Sequence, residues 1–466
     1  MKISLVNPPS PPGYTANRGF MGEFGMLHFA GGTILPPHNL LLLAGMAKDI
    51  AELQFLDAVA LRADESAVIE HVAGFNPDII FVNTSTPTAE EDCSLGKKLK
   101  SRLGAHLVYM GPHAVYTARE IFEKTGAEYI LINNTPEVVK ALIERLSLSV
   151  YHSFPGVYCY NSGKIEGEPV SGYDIEHFPF PAWGYAALEK YFYLYTSEYP
   201  YATMLSSIGC LFRCKFCPYP VAVQSRFAAM SAERIISEMQ FLKSLGVKII
   251  LFRDALFTAE KKRIYRMCEL MLEQKIGLLW RCETSIDCVD EQLLQKMAQS
   301  GCRGINFGIE SVVPEVAGQM NCESKRKDLS MTKKIFRACR SLGIETFAFF
   351  IHGLPNDTRE TIESNVRFAI ELGPDHVQFS IVTPFPGTEL YAIAQKENLL
   401  IEKTWHKFSS LEPVMATRFL STSDIARLNK WAYRRFFIRP SRILKECRHP
   451  GRLLRRAITY LHWLKR

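Results

Sequence analysis

Three cysteines stand close together in the middle of the chain, at Cys210, Cys214 and Cys217. They directly follow the predicted strand Thr203–Ile208. Three thiolates on one loop are one ligand short of a structural zinc site, which takes four. They can bind three irons of a 4Fe-4S cluster and leave the fourth iron open to a substrate or a chelating cofactor. The spacing therefore predicts an iron–sulfur centre.

A series of β/α units positions this loop. From residue 202 onward, apolar runs alternate with helical stretches such as Ala232–Leu245, Asp290–Ser300 and Arg359–Leu372. The predicted strands are Thr203–Ile208, Lys248–Phe252, Leu278–Glu283, Gly304–Gly308, Glu345–Ile351 and His376–Ile381. Six units in about 190 residues predict a partial parallel barrel, because a closed eight-stranded barrel takes more residues. The cysteines lie at the carboxyl end of a barrel strand, where catalytic groups collect.

The first 145 residues show another alternation of strands and helices. Strands are predicted at Lys2–Asn7, Leu53–Asp57, Asp78–Asn83, His106–Met110 and Glu128–Ile132, and helices at His38–Lys48, Asp64–Ala73, Ala89–Leu103 and Pro136–Arg145. This pattern predicts an α/β fold with a parallel sheet covered on both faces. Its ligands would bind at the strand carboxyl ends, residues 8–12, 84–88, 111–113 and 133–134. No G-x-G-x-x-G follows the first strand, which disfavours a nicotinamide or flavin dinucleotide.

The composition is that of a globular protein, with 47% of the 466 residues apolar and 22% charged. This length predicts two or three domains. No apolar run approaches the ~20 residues of a membrane-spanning helix, and the first residues do not resemble a signal-peptide core. The expected compartment is therefore the reducing cytoplasm. The other nine cysteines are scattered, which is typical of small buried apolar side chains.

The net charge of +7 is concentrated at the end of the chain. Residues 434–466 hold 11 of the 55 Lys and Arg residues and a single acid, Glu446. A nucleic-acid-binding protein spreads basic charge over a folded face, so this distribution argues against such a partner. Apolar and aromatic residues interleave with the basic ones, as in an interfacial amphipathic helix. Peripheral contact with an anionic membrane and packing of this tail on the barrel both remain open at this point.

The segment Gly209–Cys217, with the aromatic Phe216 before the third cysteine, resembles the signature of the radical S-adenosylmethionine (SAM) family. Further motifs extend the resemblance over nearly the whole chain: Gly308-Ile309-Glu310-Ser311, His352-Gly353-Leu354-Pro355, Thr383–Leu390 and Phe436–Ser441. Together they are similar to a subgroup with a cobalamin-binding domain, which includes hopanoid-biosynthesis radical SAM enzymes and the anaerobic magnesium-protoporphyrin ester cyclase. The resemblance implies an N-terminal Rossmann-like domain, a partial (β/α)6 TIM-type barrel and a helical C-terminal extension.

Three cofactors are implied by the resemblance: a 4Fe-4S cluster on the three cysteines, SAM and cobalamin. SAM contacts are implied at Phe216, Asp254, Glu283 and Glu310, with Asp254 receiving the SAM ammonium group. His352 is expected to be a structural residue or a contact beside the adenine. Cobalamin contacts are implied at Thr84, Ser85, Thr86, Gly111, Pro112 and His113.

The sequence departs from the subgroup's pattern in two places. Asn133-Asn134 stands where the subgroup often has a Gly-Glu pair, and its acidic run after the second barrel strand is reduced to Asp254. An Asp-x-His-x-x-Gly loop is absent, so no histidine is expected to ligate cobalt from below. His113 is instead expected to contact the corrin or its nucleotide tail.

The implied activity is hydrogen abstraction from an unactivated carbon by a 5′-deoxyadenosyl radical, followed by methylation of that carbon. An oxidative cyclase or ring-rearranging enzyme on a lipid or tetrapyrrole-like substrate is the alternative. A non-catalytic SAM- and cobalamin-binding or electron-transfer protein is the third interpretation. The expected partners are a small-molecule substrate, hydrophobic by analogy, and an external electron donor such as flavodoxin or ferredoxin. The predicted domains are 1–148 (cobalamin-binding), 149–200 (hairpin and linker), 201–399 (barrel) and 400–466 (helical and basic).

Overall fold

The computed structural model describes residues 1–19, 22–29, 32–170, 172, 174–223, 227–322, 328–440 and 442. The strands are β1 (Lys2–Asn7), β2 (Tyr14–Asn17), β3 (Met26–Phe29), β4 (Glu52–Asp57), β5 (Ile79–Asn83), β6 (His106–Met110), β7 (Tyr129–Leu131), β8 (Val157–Asn161), β9 (Lys164–Glu166), β10 (Tyr201–Met204), β11 (Ser207–Ile208), β12 (Ala228–Ala229), β13 (Ile249–Phe252), β14 (Leu279–Thr284), β15 (Cys302–Glu310), β16 (Glu345–His352) and β17 (His376–Ile381). The helices are α1 (His38–Ala47), α2 (Ala58–Leu61), α3 (Glu65–Phe75), α4 (Ala89–Leu103), α5 (Pro112–Tyr116), α6 (Ala118–Thr125), α7 (Pro136–Ser147), α8 (Tyr219–Val223), α9 (Ala232–Ser244), α10 (Lys261–Glu273), α11 (Glu291–Gln299), α12 (Pro314–Gln319), α13 (Leu329–Ser341), α14 (Arg359–Leu372), α15 (Glu389–Lys396) and α16 (Thr422–Phe437).

The N-terminal sheet has the strand order β4-β1-β5-β6-β7-β8-β9. Its first five strands are parallel, and the hairpin β8–β9 continues the sheet in antiparallel fashion. The central strand β5, Ile-Ile-Phe-Val-Asn, is buried along its whole length. Helices α1 and α7 cover one face through residues such as Leu43 and Leu142, and α3, α4 and α6 cover the other. Burial on both faces explains why β5 is almost wholly apolar.

The second sheet is the partial barrel. Its six strands run in the order β10-β13-β14-β15-β16-β17, and every neighbouring pair is parallel. The side chains that face outward pack under helices α9, α10, α11, α13 and α14 in one large apolar core. Trp280, Phe252 and Phe257 are fully buried there with ring centroids 4.5–5.9 Å apart. The predicted fold class is therefore confirmed.

Helix α16 covers β17, one of the two edge strands of the barrel sheet. The backbone N–H of Phe379 donates to Tyr433 Oη at 3.1 Å, and Asn429 Nδ2 donates to the Phe379 carbonyl at 3.0 Å. Two side chains of α16 thus satisfy backbone groups that a further strand would pair with in a closed barrel. This contact protects an edge that would otherwise present free donors and acceptors.

The six barrel strands and the five N-terminal parallel strands were all predicted at their places, with ends within three residues except at β10. Strand β10 ends at Met204, four residues before the predicted end, because Asp254 binds Ser206 and Ser207 and turns the chain there. The hairpin β2–β3 and its antiparallel pairing were not predicted.

The prediction of a helical region from residue 400 is wrong for residues 400–421, which form turns and short 3-10 structure before α16 begins. One reason is Glu402, whose carboxylate accepts hydrogen bonds from the backbone of Lys403 and Thr404 and so competes with helical hydrogen bonding. Most of the basic tail, residues 441 and 443–466, lies outside the described residues.

Candidate active site

The cysteine loop begins just beyond the carboxyl end of β10. Gly209 has a left-handed φ of +75°, which lets the chain turn sharply before Cys210. Cys210 and Cys217 are half-buried and Cys214 is buried. The Cys217 N–H donates to the Cys214 carbonyl at 3.0 Å, which keeps the last two cysteines on one tight turn. The predicted placement of all three thiols on a single strand-end loop is therefore what the structure shows.

Two other barrel segments anchor this loop. The Lys215 N–H donates to the Met320 carbonyl at 3.0 Å, and the Leu390 N–H donates to the Lys215 carbonyl at 2.9 Å. Cys214 and Phe216 pack in an apolar cluster with Met320, Leu354, Leu390 and their neighbours. In the part of the chain that the structure describes, no three His, Cys, Asp or Glu side chains are grouped so as to hold a single metal ion.

Asp254 lies directly beneath the start of the loop and is fully buried. Its carboxylate accepts hydrogen bonds from the Ser206 N–H at 3.1 Å, from Ser206 Oγ at 2.7 Å and from Ser207 Oγ. Burial raises the pKa of Asp254, while the positive charge of Arg263 and these hydrogen bonds oppose the rise. With these partners the carboxylate holds the chain four residues before Cys210. Its contact with a SAM ammonium group stays a prediction.

Glu283 forms an ion pair with Arg253, which lies on the neighbouring strand end beside Asp254. The Glu283 carboxylate is only partly buried, so one side of it remains accessible within the barrel mouth. Tyr219, two residues after the third cysteine, interacts electrostatically with both Glu283 and Arg253. Burial raises the pKa of its hydroxyl. The sequence analysis did not predict Arg253, which is adjacent to Asp254, or Tyr219, which follows Cys217 by two residues.

Glu310 ends strand β15 in a strained conformation. Its φ is +63°, unusual for a residue with a side chain, and the register of β15 against β16 shifts between Gly308 and Glu310. The side chain is buried, with 8% exposure. Backbone strain of this kind persists only where surrounding structure holds it, and it concentrates at functional sites. The glutamate-bearing turn is thus a distinctive feature of the barrel mouth.

The carboxyl end of β5 carries the loop of Thr84, Ser85 and Thr86, all of which are buried. Thr84 Oγ1 and Thr88 Oγ1 donate to Asp92 at 2.9 and 2.6 Å, and Arg18 forms a buried ion pair with the same carboxylate at 2.6 Å. Burial raises the pKa of Asp92, and the charge of Arg18 is the largest opposing influence. The ion pair was not predicted, because its partners are 74 residues apart.

The next strand end carries Gly111, Pro112 and His113. Gly111 has a φ of +108°, and a Cβ there would lie 2.3 Å from the Thr84 carbonyl oxygen, so only glycine fits. His113 Nδ1 lies 3.2 Å from Thr86 Oγ1, and the ring meets the edge of Trp405 at 5.0 Å between centroids. His113 Nε2 is buried without a hydrogen-bond partner among the described residues. Burial lowers the pKa of His113 to about 4, so its imidazole is neutral at pH 7.

The strand-end loops of the two sheets meet each other. Tyr116 Oη donates to the Val221 carbonyl at 3.0 Å, just beyond the cysteine loop. The rings of Phe24 and Phe385 lie 5.1 Å apart, and Trp405 Nε1 donates to Glu120 at 3.2 Å. The loop after β6 and the cysteine loop, which belong to separate sheets, therefore lie next to each other.

A cavity of about 1020 Å³ lies between the β2–β3 hairpin, strand β17, residues 406–413 and helix α16. Most of its walls are apolar or aromatic, and its charged groups are balanced, since Glu91 and Glu412 accompany Lys407 and Lys430. The aromatic wall residues are Tyr14, Phe29, Tyr195, Phe379, Tyr433 and Phe437. A volume of this size suits a large ligand.

His352 does not line the cavity but packs against Phe379, one of its wall residues. Its ring stacks on Phe379 at 5.2 Å, and Phe379 in turn contacts Tyr433 and Phe436 of α16. His352 therefore faces the helices outside the barrel. Of the two expected roles, the geometry supports the structural one and not a contact beside the adenine.

Residues 204–369 match the radical SAM superfamily. The chain contains a radical SAM domain. It is 28% identical to an uncharacterized methyltransferase of Pyrococcus horikoshii, over 98% of this chain and 97% of that protein. It is 24% identical to the anaerobic magnesium-protoporphyrin IX monomethyl ester cyclase of Rubrivivax gelatinosus, over 86% of this chain and 74% of that protein.

The fold is also that of a solved structure, the radical S-adenosylmethionine methyltransferase TsrM from Kitasatospora setae with cobalamin and a [4Fe-4S] cluster bound. The TM-score is 0.69 at 18% identity, covering 86% of this chain and 79% of that one. With a radical SAM domain and relatives named as a methyltransferase and a cyclase, the chain is an enzyme, as predicted.

Among the helices of the described residues, none is long and apolar enough to cross a bilayer.

The buried His352 makes the free energy of unfolding depend on pH. Burial lowers the pKa of His352 from 6.5 to about 3, and neither ring nitrogen has a hydrogen-bond partner in the described chain. As the pH falls below 6.5, the unfolded chain takes up a proton that the folded protein excludes, so stability falls. We expect His352→Phe to be more stable than the parent at pH 5 by about 2 kcal/mol, and nearly equal at pH 7.5.

Urea unfolding followed by tryptophan fluorescence at both pH values measures this difference. The exposed His177 offers a control, since His177→Gln should leave the pH dependence unchanged. An equal loss of stability in the parent and in His352→Phe between pH 7.5 and pH 5 would contradict the assignment.

Proposed function

We propose that this protein is a cobalamin-dependent radical SAM enzyme that transfers a methyl group to an unactivated carbon of a large, mainly apolar substrate. One observation carries the proposal. The three thiols lie on a single loop at the carboxyl end of the first strand of a parallel partial barrel, within a radical SAM domain. Neighbouring strand ends of the same barrel carry the carboxylates of Asp254, Glu283 and Glu310.

The donor set fits a 4Fe-4S cluster. Three thiolates can bind three irons and leave one open, and an apolar surrounding such as that of Cys214 and Phe216 excludes water from the site. Cys210, Cys214 and Cys217 would hold the cluster, which together with SAM supplies a 5′-deoxyadenosyl radical. Asp254 keeps the loop in place by fixing Ser206 and Ser207. Tight anchoring at both ends of the loop would keep the three sulfurs in a constant arrangement.

SAM would be oriented by carboxylates and by Phe216. Glu310 is held in the barrel mouth by its strained turn, and a carboxylate there can accept hydrogen bonds from the ammonium group or the ribose hydroxyls of SAM. Glu283 would serve in the same way, with Arg253 fixing its direction. Asp254 already accepts from several donors, so we assign it to positioning of the cysteine loop before any direct contact with SAM.

Cobalamin would be held at the carboxyl edge of the N-terminal sheet. Gly111 permits close backbone packing there, and the loop of Thr84, Ser85 and Thr86 is rigid because of the Asp92 network. Two buried polar atoms at this edge, His113 Nε2 and Asn134 Oδ1, have no partner among the described residues, which fits a site built for a polar ligand. Cobalamin supplies the methyl group in the methylase reaction.

The substrate class follows from the cavity. Its aromatic walls and balanced charges favour a large, mainly apolar molecule without a strong net charge. Hydrogen-bonding side chains such as Gln378 and Asn429 are available to orient it. Pro11, in the loop after β1, also lines the cavity, so the carboxyl edge of the N-terminal sheet contributes to its wall.

Oxidative cyclisation is the second candidate function, since the protein from Rubrivivax gelatinosus is named as a cyclase. Reduced enzyme, SAM and a candidate substrate analysed by mass spectrometry separate the two reactions. Methylation adds one CH₂ unit to the mass, whereas an oxidative ring closure removes hydrogen.

Either reaction requires an external one-electron donor, for which we propose an acidic protein such as flavodoxin or ferredoxin.

The cluster ligands can be tested directly. We expect the triple variant Cys210→Ala, Cys214→Ala, Cys217→Ala, purified without oxygen, to lose its iron and sulfide and its SAM cleavage, because each thiolate is one of only three ligands. Cys322→Ala is the matched control, since Cys322 is buried in the same apolar cluster but lies outside the motif. Full iron and sulfide content with continued SAM cleavage in the triple variant would refute the ligand assignment.

The cobalamin site predicts a specific spectrum. We expect the protein to bind cob(II)inamide, a corrinoid without the nucleotide base, and its EPR signal to show no nitrogen hyperfine splitting, because the His113 ring is enclosed by Thr86 and Trp405. His113→Gln should give the same signal. A splitting in the parent that is lost in His113→Gln would identify this histidine as a cobalt ligand. Failure to bind any corrinoid would remove the domain assignment itself.

Peripheral contact with an anionic membrane is a further part of the proposed function. The charge of residues 434–466 supports it, as do the partly exposed Trp431 and Ile438 near the end of α16. Each Lys or Arg near an anionic leaflet contributes about 1 kcal/mol and is screened by salt. We expect the full chain to sediment with anionic liposomes at low salt and a chain ending at Arg439 to stay in solution. Equal, salt-insensitive sedimentation of both proteins, or of neither, would rule out this contact.

A further inference from the structure

The end of the loop that joins β2 to β3 lies where loops of the two sheets meet. A Cβ on Gly22 would lie 3.1 Å from the Cα of Tyr219, which follows the third cysteine by two residues. The Thr86 N–H donates to the Phe24 carbonyl at 2.8 Å, and the Phe24 ring lies 5.1 Å from that of Phe385. This short piece of chain therefore contacts the cysteine side, the loop after β5 and the loop after β17.

Glu23 stands in this piece of chain in a conformation that residues with a side chain rarely adopt. Its φ is +69°, between Gly22 at +61° and Gly25 at +86°. The side chain is half-buried. Burial raises the pKa of Glu23 to about 7, and a hydrogen bond with Asn39 opposes the rise. Strain of this kind persists only where the surrounding structure holds it, and it concentrates at functional sites.

A chain of buried amides joins Glu23 to the carboxyl edge of the N-terminal sheet. Asn39 Nδ2 donates to Asn83 Oδ1 at 3.0 Å, and Asn83 Nδ2 donates to Asn7 Oδ1 at 3.2 Å. Asn7 Nδ2 donates in turn to Asp57 Oδ1 at 2.7 Å. This oxygen also accepts from two backbone N–H groups of α2, so it acts as an acceptor and fixes the direction of all three amides. The second N–H of Asn39 is thereby available to Glu23.

A further acceptor lies beside Asn39. Asn134 Nδ2 donates to the Asn39 carbonyl at 3.1 Å, while Asn134 Oδ1 is buried with no hydrogen-bond partner in the described part of the chain. Glu23 and Asn134 thus both present oxygens next to the same residue. Two acceptors suit the two N–H bonds of a primary amide. Primary amides line the rim of a corrin ring, so the chemistry of this edge matches that ring.

We propose that Glu23 contacts the corrin ring of bound cobalamin and accepts a hydrogen bond from one of its side-chain amides. The proposal rests on the proposed function, since it requires cobalamin at the carboxyl edge of the N-terminal sheet. Asn39 fixes the direction of the Glu23 carboxyl group, and Asn134 provides a second acceptor. No covalent bond forms or breaks. Because the preceding Gly22 packs against Tyr219, the residue that holds the corrin is adjacent to one that contacts the cysteine side.

Affinity for hydroxocobalamin tests the contact. Cluster-loaded enzyme prepared without corrinoid is dialysed to equilibrium against hydroxocobalamin at pH 8, and the bound fraction is measured by absorbance. We expect Glu23→Met, which keeps the length of the side chain and removes its acceptors, to weaken binding about tenfold. Glu23→Gln keeps an acceptor and should stay within about threefold of the parent. Lys275→Met is the matched control, since Lys275 also has a positive φ but precedes β14 at the opposite end of the barrel.

Modified corrinoids identify the interacting group itself. In the monocarboxylic acid derivatives of cobalamin, one side-chain amide is replaced by a carboxylate. We expect one derivative to bind the parent about tenfold more weakly than hydroxocobalamin at pH 8, because its carboxylate then opposes that of Glu23. In Glu23→Gln this loss should shrink to about threefold or less, because the glutamine N–H donates to the new carboxylate. A merely structural role for Glu23 would not single out one derivative.

A selective recovery of one derivative in Glu23→Gln would support the corrin contact. Equal ratios of affinity in the parent and in Glu23→Gln for every derivative would overturn it and leave the proposed function intact. A parent enzyme that binds neither hydroxocobalamin nor cob(II)inamide would overturn the proposed function instead. If Glu23→Met does not fold, the comparison of the parent with Glu23→Gln decides alone, since glutamine preserves the size and polarity of the side chain.

Discussion

The carboxylate of Asp254 fixes the point at which the cysteine loop leaves the barrel. A fully buried charge costs several kcal/mol to desolvate unless it is paired and hydrogen-bonded, and Asp254 is satisfied by Ser206, Ser207 and the nearby charge of Arg263. Because these donors belong to the chain just after β10, the strand cannot continue and the backbone turns toward Cys210. The start of the loop that carries the three thiols therefore depends on this interaction.

A buried carboxylate also fixes a loop after a strand of the N-terminal sheet. Asp92 is buried beneath the loop that follows β5 and is satisfied by Thr84, Thr88 and Arg18. In both sheets a buried acid therefore ties a strand-end loop to a distant part of the chain. Parallel strands have all their carboxyl ends on one side of the sheet. When these sides of two sheets face each other, the loops that follow the strands meet. The contacts of Tyr116 with Val221 and of Phe24 with Phe385 show this meeting directly.

Much of this architecture could be predicted from local patterns. Strand β5 is a short apolar run and β17 alternates polar and apolar residues, and the cysteine spacing placed the thiols on one loop. Contacts between residues far apart in sequence could not be predicted, and these include the Arg18–Asp92 and Arg253–Glu283 pairs. The role of His352 was open because its motif indicates a position after a strand, whereas the direction of its ring depends on where α16 packs. The β2–β3 hairpin was missed because its strands are four residues long and lie among glycines and prolines.

Side chains of α16, rather than a further strand, bond the free edge of β17, which affects how sequence changes alter this barrel. A strand that is completed by another strand is bound to a fixed spacing and register, whereas Tyr433 and Asn429 reach the Phe379 backbone from a separate helix. Replacing a few residues of that helix would move one wall of the cavity without disturbing the six strands or the loops at their ends. The wall of the cavity therefore belongs in part to a helix outside the sheet, whereas the cysteine loop is anchored to the strands themselves.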